Sequence, residues 1–235
     1  IIMSKTKIAI AGGSGKMGKL LSDFIKNKNE FEISGIYDPN NTNNEYKYFK
    51  TYDEIEGDYL FVFVSANNIN DFINEIYNHS KKFKGIVIGS SGLSDKSIKI
   101  LENEFIKNTN IVCIIPNFSI GSIFQKLISQ KIQYDFEKVY ITEKHHSNKI
   151  DSPSGTSLDL ISSLDKENIS IDSIRSDEYM AEQIVSFKNK NEELNIEHIV
   201  TDRNAYLTGI NLVLESLSSM KGYYFGLEKI LKNKI

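Results

Sequence analysis

The sequence predicts an α/β protein in two parts: a doubly wound parallel sheet, followed by a smaller α+β domain with an open mixed sheet. Short apolar runs alternate with helical patterns in the first half of the chain, which is typical of parallel βαβ units. The run 59–64 has no polar alternation, as expected of a central strand buried on both faces. After residue 118 longer amphipathic runs follow, which predict a sheet with one polar face.

The elements follow from these patterns in chain order. In the first half we predict strands and intervening helices, with strands over 7–11, 31–37, 59–64, 86–88 and 111–115, and helices over 16–27, 69–77 and 94–106. The segment 40–44 is predicted as a polar loop. In the second half we predict a helix over 120–130, strands over 136–142, 183–188 and 193–200, a helix over 205–217 and a helical tail over 222–231. The change of pattern places the domain boundary near Phe118, with 1–118 and 205–235 in one domain and 119–204 in the other.

Composition excludes several classes of protein. The 235 residues carry a net charge of −3, which disfavours a nucleic-acid-binding surface. The lone Cys113 cannot form an internal disulfide, as expected in a reducing cytoplasm, and no apolar run is long enough to span a membrane. Arg175 and Arg203 are the two arginines, the residue type best suited to bidentate recognition of carboxylates or phosphates.

A glycine-rich turn follows the first strand and opens the first helix. Gly13, Gly15 and Gly18 satisfy the pattern G-x-G-x-x-G. Such glycines permit a close approach of the backbone, and the helix N-terminus offers N–H groups to a pyrophosphate. Asp38 lies 20 residues beyond Gly18, where a carboxylate can bind an adenosine ribose. The context predicts a Rossmann-like dinucleotide-binding domain; the alternative is a tight βα turn without a ligand.

The choice of dinucleotide depends on Asp38. A carboxylate repels the 2′-phosphate of NADPH, and Pro39 rather than a cation follows, so NADH is favoured. Lys47 and Lys50 could still reach a phosphate, which leaves NADPH open. A second turn, Gly-Ser-Ser-Gly over 89–92, ends another strand where the nicotinamide half would lie; alternatively it is only a strand-to-helix turn with a serine cap.

The densest chemical segment is 143–156, with the sequence E-K-H-H-S-N-K-I-D-S-P-S-G-T. Two adjacent histidines and Lys149 offer cations, and Ser154 or Thr156 can cap a helix whose N–H groups face the same place. Such a site would bind carboxylates and could supply a proton. The alternatives are solvated histidines at a strand end and a simple helix cap.

Zinc is a further alternative for this segment. The candidate ligands are Glu143, His145, His146 and His198. Neither an H-x-x-x-H pattern nor cysteine spacing supports them, and His198 fits a structural role in a strand. We therefore predict no metal.

Segment 143–156 resembles the signature of the dihydrodipicolinate reductase family of lysine and diaminopimelate biosynthesis. The family pattern is a glutamate, two histidines, a lysine three residues later, and then Asp-x-Pro-Ser-Gly-Thr. Further similarity lies in the glycine turn and in four short segments, 89–92, 115–119, 173–175 and 222–224. The resemblance implies an NADH- or NADPH-dependent oxidoreductase that reduces 4-hydroxy-tetrahydrodipicolinate, a small dicarboxylate. It also implies a cytoplasmic homotetramer joined through the sheet of the second domain.

The resemblance assigns roles to individual residues. His145 and Lys149 would handle the proton, with Lys149 the favoured acid and protonated His145 the alternative. The substrate's carboxylates would be held by His146, Lys149, Ser154, Gly155 and Thr156. The cofactor would be held by Gly12, Gly13, Ser14, Gly15, Lys16, Met17, Asp38, Gly89, Ser90, Ser91, Ile115, Pro116, Asn117 and Phe118, together with Arg203 and Tyr206.

Two segments depart from the family pattern and leave alternatives open. Val62-Phe63-Val64 stands where Asp-Phe-Thr is expected, and Ala181-Glu182-Gln183 where Gly-Glu-His is expected. The alternative functions are another two-domain dehydrogenase that acts on a small amino or keto dicarboxylate, and a cofactor-binding regulator without catalysis.

Overall fold

The computed structural model describes residues 4–39, 45–167 and 169–231, so the predicted loop over 40–44 lies outside the described residues. The chain divides into two compact units, one formed by 1–118 with 209–235 and the other by 119–208. Each unit is built on its own sheet. None of the helices within the described ranges has the length and hydrophobicity of a membrane-spanning segment.

Strands and helices alternate up to residue 118. They are β1 (Thr6–Ala11), α1 (Lys16–Lys26), β2 (Phe31–Tyr37), β3 (Tyr48–Phe49), β4 (Tyr59–Val62), α2 (Ile69–Tyr77), β5 (Gly85–Ile88), α3 (Asp95–Ile100), α4 (Ile106–Asn108) and β6 (Ile111–Ile114). A π-helical segment, Leu101–Phe105, joins α3 to α4, where the sequence predicts one regular helix.

The remaining elements begin with those of the second unit. They are α5 (Ile120–Ile132), β7 (Lys138–His145), α6 (Gly155–Ser162), β8 (Ser170–Arg175), β9 (Ala181–Lys188) and β10 (Glu193–Val200). After a 3₁₀ turn, Arg203–Tyr206, the chain continues through α7 (Leu207–Ser216), β11 (Gly222–Phe225) and α8 (Glu228–Leu231).

The sheet of the first unit is entirely parallel among its described strands. Their order is β3-β2-β1-β4-β5-β6-β11. Apart from β11, this is the strand order of the doubly wound dinucleotide fold, so the predicted fold class is confirmed. Every residue of β4, β5 and β6 is buried, because helices cover both faces of such a sheet. The strand order reverses between β1 and β4, which opens a crevice at the carboxyl ends of these strands.

The second unit contains a four-stranded mixed sheet in the order β10-β9-β7-β8. Strand β9 pairs antiparallel with β7 and β10, whereas β8 pairs parallel with β7. Val139 and Ile141 on β7 pack with Leu160 of α6 in one apolar cluster. Glu143 occupies the next position on that same buried face, which places a carboxylate where the alternation predicts an apolar residue.

Three short or edge strands differ from the sequence prediction. The helical tail predicted over 222–231 is wrong at its start, because Gly222–Phe225 forms β11 and pairs with β6. Its tyrosines and phenylalanine favour an extended strand once a partner edge is available. Strands β3 and β8 were not predicted; β8 lies at the edge of its sheet and alternates exposed with half-buried residues, so it lacks a buried apolar stripe.

Candidate active site

The glycine turn after β1 lies at the crevice of the first sheet. Gly12 adopts a φ of +81°, and a Cβ there would lie 2.5 Å from the carbonyl oxygen of Phe63. A Cβ on Gly18 would lie 2.4 Å from the carbonyl oxygen of Gly12. The backbone of the turn therefore packs against both the end of β4 and the start of α1, which no larger residue would allow.

The N-terminus of α1 is suited to bind an anion. Gly15 is the N-cap residue, and no side chain in the described part of the chain caps this helix. The first turn contains no acidic residue and begins with Lys16 and Met17. The N–H groups and the helix dipole together favour a negatively charged group such as a pyrophosphate at this position.

Asp38 connects the end of β2 to the glycine turn. It is 5% exposed, and its Oδ2 accepts hydrogen bonds from the backbone N–H of Ser14 at 2.8 Å and from the Ser14 hydroxyl. The N–H of Gly12 donates to the carbonyl of Tyr37, the residue before Asp38, at 2.8 Å. These bonds hold the carboxylate against the turn, where the sequence predicts a ribose contact.

A cavity of about 580 Å³ opens beside these residues, a volume typical of small-molecule sites. It includes an aromatic cluster in which the ring centroids of Tyr37 and Tyr52 lie 5.0 Å apart and those of Tyr52 and Phe72 lie 5.7 Å apart. The described residues that line it are Gly12, Ser14, Gly15, Tyr37, Asp38, Pro39, Tyr52, Phe63, Val64, Ser65, Asn68, Asp71 and Phe72. The lining thus contains two carboxylates and, among described residues, neither lysine nor arginine.

The other cofactor residues predicted in the first unit follow β5 and β6, at the same edge of the sheet. The N–H of Ile115 continues the ladder by donating to the carbonyl of Ile88 at 2.8 Å. A Cβ on Gly89 would lie 2.4 Å from Phe63 and 2.8 Å from Phe118, whose ring centroids are 6.1 Å apart. This group comprises Gly89, Ser90, Ser91, Ile115, Pro116, Asn117 and Phe118, and it lies outside the lining of the cavity.

In the second unit, Glu143 is the centre of a buried polar network. Its carboxylate is 0% exposed. It accepts hydrogen bonds from the N–H of Ser154 at 3.0 and 3.1 Å, from the hydroxyls of Ser157 at 2.6 Å and Ser173 at 2.8 Å, and from Arg175 Nη2 at 2.9 Å. Burial raises the pKa of Glu143, but these donors outweigh it and bring the pKa to about 2.

His145 lies two residues further along β7, on the same face as Glu143. Its Nδ1 is 3.9 Å from Glu143 Oε2 and is buried without a hydrogen-bond partner in the described structure. Burial lowers the pKa of His145; the charge of Glu143 opposes this effect, and the charges of Lys149 and Arg175 add to it. The neutral imidazole is therefore favoured at neutral pH.

Lys149 and the N-terminus of α6 share a carboxylate. Lys149 Nζ lies 2.9 Å from Asp151 Oδ1, and the N–H of Gly155 donates to Asp151 Oδ2 at 3.4 Å. The Ser154 side chain caps α6 by accepting the N–H of Ser157 at 3.2 Å, as predicted, and Thr156 lies in the first turn. An ammonium group and a helix N-terminus thus converge on one carboxylate within this loop.

His146 has a different environment from His145. Its Nε2 lies 3.6 Å from Asp177 Oδ1, and its Nδ1 accepts the N–H of Asn148 at 3.2 Å. The side chain is 45% exposed, against 14% for His145. The structure therefore brings His145 to Glu143 and directs His146 towards Asp177.

Comparison with known proteins identifies the family. Residues 6–118 match the model for the N-terminus of dihydrodipicolinate reductase, and residues 122–231 match the model for its C-terminus. A 4-hydroxy-tetrahydrodipicolinate reductase from Legionella pneumophila subsp. pneumophila is 30% identical over 97% of this chain and 100% of its own length. The chain belongs to the dihydrodipicolinate reductase family. The resemblance drawn from segment 143–156 is confirmed.

Other members of the dihydrodipicolinate reductase family agree in length and fold. A 4-hydroxy-tetrahydrodipicolinate reductase from Dictyoglomus turgidum is 24% identical over 97% of this chain and 98% of its own. The dipicolinate-bound dihydrodipicolinate reductase from Paenisporosarcina sp. TG-14 superposes with a TM-score of 0.81 at 21% identity, over 97% of this chain and 100% of that one. Family membership makes the chain an oxidoreductase of lysine and diaminopimelate biosynthesis, a family that uses NAD(P)H.

Two predicted cofactor residues of this reductase lie in the second unit. A 3₁₀ turn begins at Arg203 and ends at Tyr206. Asp202 caps this turn, since its side chain accepts the N–H of Asn204 at 2.7 Å. Burial raises the pKa of Tyr206. Their part in cofactor binding stays a prediction.

Sequence reasoning missed the partners that organise the reductase's segment 143–156. Ser157, Ser173 and Arg175 all donate to Glu143. Arg175 was singled out as suited to carboxylate recognition, but none of the three was predicted to contact Glu143. The signal that could have found Ser173 and Arg175 is their spacing, because residues two apart on a strand share a face. Tyr37, Tyr52 and Phe72 of the cavity were also missed, since they lie far apart in the chain.

Proposed function

We propose that this chain reduces 4-hydroxy-tetrahydrodipicolinate to tetrahydrodipicolinate with NAD(P)H. The proposal rests on one observation: Lys149 Nζ and the N–H of Gly155 both contact the carboxylate of Asp151. These are residues to which the family resemblance assigns the substrate's carboxylates. A cation beside a helix N-terminus is suited to a dicarboxylate, and the same ammonium group carries a proton for the reaction.

The cofactor is proposed to bind at the carboxyl edge of the first sheet. The fit rests on the uncapped N-terminus of α1, on the close backbone approach at Gly12 and on the cavity beside Asp38. Residues 12–17 would hold the pyrophosphate and Asp38 the adenosine ribose, with the residues after β5 and β6 nearer the nicotinamide. When bound, NAD(P)H supplies the hydride.

The second unit is proposed to hold the substrate and move the proton. Loss of the 4-hydroxyl group as water leaves a conjugated ring. As hydride adds to one end of that conjugated system, Lys149 donates its proton to the substrate carbon on which negative charge develops. His145, neutral and close to Glu143, supplies no second positive charge. Lys149 is therefore the acid in this proposal, and Ser154, Gly155 and Thr156 bind a carboxylate at the start of α6.

We propose NADH as the preferred cofactor. The described lining of the cavity contains Asp38 and Asp71 and offers no cation to a 2′-phosphate. Lys47 is held elsewhere, since its Nζ lies 2.5 Å from Glu56 Oε1 and over the ring of Phe49. Val64, which stands where the family pattern has a threonine, adds apolar surface to the cavity beside Phe63.

A coupled assay tests both proposals. The product of dihydrodipicolinate synthase is supplied with NADH or NADPH, and the loss of absorbance at 340 nm is followed. We expect turnover with both cofactors and a kcat/KM about tenfold higher with NADH, since a tenfold ratio corresponds to about 1.4 kcal/mol of charge repulsion. Asp38→Asn, which keeps the shape and removes the charge, is expected to abolish that ratio.

Outcomes of this assay separate the alternatives. Turnover of aspartate or meso-diaminopimelate in place of the synthase product would show a different dehydrogenase. Binding of NADH without turnover of any of these compounds would show a regulator. A higher kcat/KM with NADPH in the wild-type protein would contradict the role of Asp38.

The homotetramer and the cytoplasmic location stay predictions. The outward face of the second sheet carries Ile174 and Ile199, which are 42% and 53% exposed, beside a Lys144–Glu182 ion pair. An apolar and charged face of this kind supports an interface between copies of the chain.

A further inference from the structure

We propose that Glu143 is the positioning residue of the substrate site: its carboxylate fixes the start of α6 and the loop that carries Lys149, and its charge acts on the imidazole of His145, whose Nδ1 lies 3.9 Å away. This inference rests on the proposed function, because it concerns the same site. Glu143 is fully buried and cannot reach a substrate, so any effect it has on the reaction passes through the residues it binds. A buried carboxylate with several charge-assisted hydrogen bonds is costly to disturb.

The first group that Glu143 holds is the N-terminus of α6. The N–H of Ser154, the N-cap residue, donates to both carboxylate oxygens, and the hydroxyl of Ser157 donates to Oε2 at 2.6 Å. Gln183 Nε2 extends the network by donating to the Ser157 hydroxyl at 2.6 Å. Through these bonds Glu143 sets where Gly155 and Thr156 present their backbone.

The second group is the loop that carries Lys149. Arg175 Nη2 donates to Glu143 Oε1 at 2.9 Å and to the carbonyl oxygen of Asp151 at 2.7 Å. The side chain of Asp151 in turn lies 2.9 Å from Lys149 Nζ. A continuous path of polar contacts therefore joins the buried carboxylate to the ammonium group that we assign as the proton donor.

A carboxylate suits this position, because each group that forms a hydrogen bond with it in the described structure is a donor. Ser154, Ser173 and Arg175 donate to Oε1, and Ser154 and Ser157 donate to Oε2. An amide would turn N–H groups towards some of these donors. It would also leave the guanidinium of Arg175 without its counter-charge, close to His145.

The test compares Glu143→Gln with Glu143→Asp, and uses Glu182→Gln as a matched control. Glu182 lies on the neighbouring strand β9 and pairs with Lys144 on the opposite face of the sheet, so the control removes one carboxylate charge outside the network. Calorimetry with dipicolinate measures the dicarboxylate site, NADH titration measures the cofactor site, and NMR follows the titration of His145.

We expect Glu143→Gln to weaken dipicolinate binding about 100-fold, which is the size of effect expected when binding groups are displaced by about 1 Å. The Kd for NADH should change less than about twofold. Loss of the nearby negative charge is expected to lower the pKa of His145 further, and Glu143→Asp is expected to restore that titration towards wild type. Glu182→Gln should leave all three measurements unchanged. Dipicolinate affinity within about twofold of wild type in Glu143→Gln, or an unchanged His145 titration, would overturn the proposal.

If Glu143→Gln does not fold, Ser157→Ala provides the second test. It removes one donor to the carboxylate and leaves every charge in place, and we expect about fivefold weaker dipicolinate binding from the loss of that hydrogen bond. Unchanged binding would overturn the role of the network. Because these measurements use binding and titration, they stand apart from turnover, whose absence in the coupled assay would count against the proposed function alone.

Discussion

Replacement of Lys149 by alanine is expected to lower kcat by about 1,000-fold, within the range lost when a positioned acid is removed. The ammonium group lies 2.9 Å from Asp151 in a loop that also meets the N-terminus of α6, so its loss removes both the proton donor and a cation for a carboxylate. The KM for the substrate should therefore rise as well. The coupled assay gives both constants, and a separate titration should show a Kd for NADH within about twofold of wild type.

Two further variants make this expectation specific to Lys149. His145→Ala is expected to lower kcat by about 100-fold, because an imidazole that orients the site is lost. Lys188→Ala is the matched control. Lys188 is a half-exposed cation on β9, at the opposite end of the sheet from His145, and its Nζ lies 3.0 Å from Glu193 of β10. Near wild-type turnover in both Lys149→Ala and His145→Ala would exclude this assignment of the proton donor.

Gly12→Ala is expected to weaken NADH binding by about 100-fold, equivalent to about 2.7 kcal/mol. A Cβ there would lie 2.5 Å from the carbonyl oxygen of Phe63, at a φ of +81°. The turn must shift away from β4 to relieve this contact, which moves the N–H groups proposed to bind the pyrophosphate. Fluorescence titration with NADH measures the change.

The control for Gly12→Ala must separate backbone strain from the steric contact. Gly222 has a φ of +97°, and a Cβ there would meet nothing within 4 Å. Gly222→Ala is therefore expected to lower the free energy of unfolding by about 1–2 kcal/mol, without a change in NADH affinity. Equal loss of NADH affinity in the two variants would show that general strain, rather than the geometry of the turn, explains the effect.

Most of the first sheet could be predicted because the sequence patterns that indicate its strands lie within short segments of the chain. The buried strands of a parallel sheet are apolar along their whole length, and the glycines follow directly after β1. Edge strands carry no such signal. Strand β11 pairs with β6, more than 100 residues earlier in the chain, and β8 depends on a partner strand for its extended form.

Part of the candidate site could likewise be predicted from the sequence, and part required the structure. Segment 143–156 could be recognised from the sequence because its cations, hydroxyls and helix cap are close together in the chain. The environment of Glu143 could not, since its donors come from both α6 and β8 and its burial depends on the packed sheet. The direction of the pKa shift of His145 also required the structure, because a solvated histidine would have kept its ordinary pKa.

A crystal structure of the chain with NADH and dipicolinate would show whether the loop between β7 and α6 binds the substrate's carboxylates and presents Lys149 to the substrate. We predict a carboxylate of dipicolinate on Lys149 Nζ and on the backbone of Gly155 and Thr156, and NADH on residues 12–17. A dicarboxylate bound elsewhere on the chain, with Lys149 still paired only to Asp151, would contradict the account.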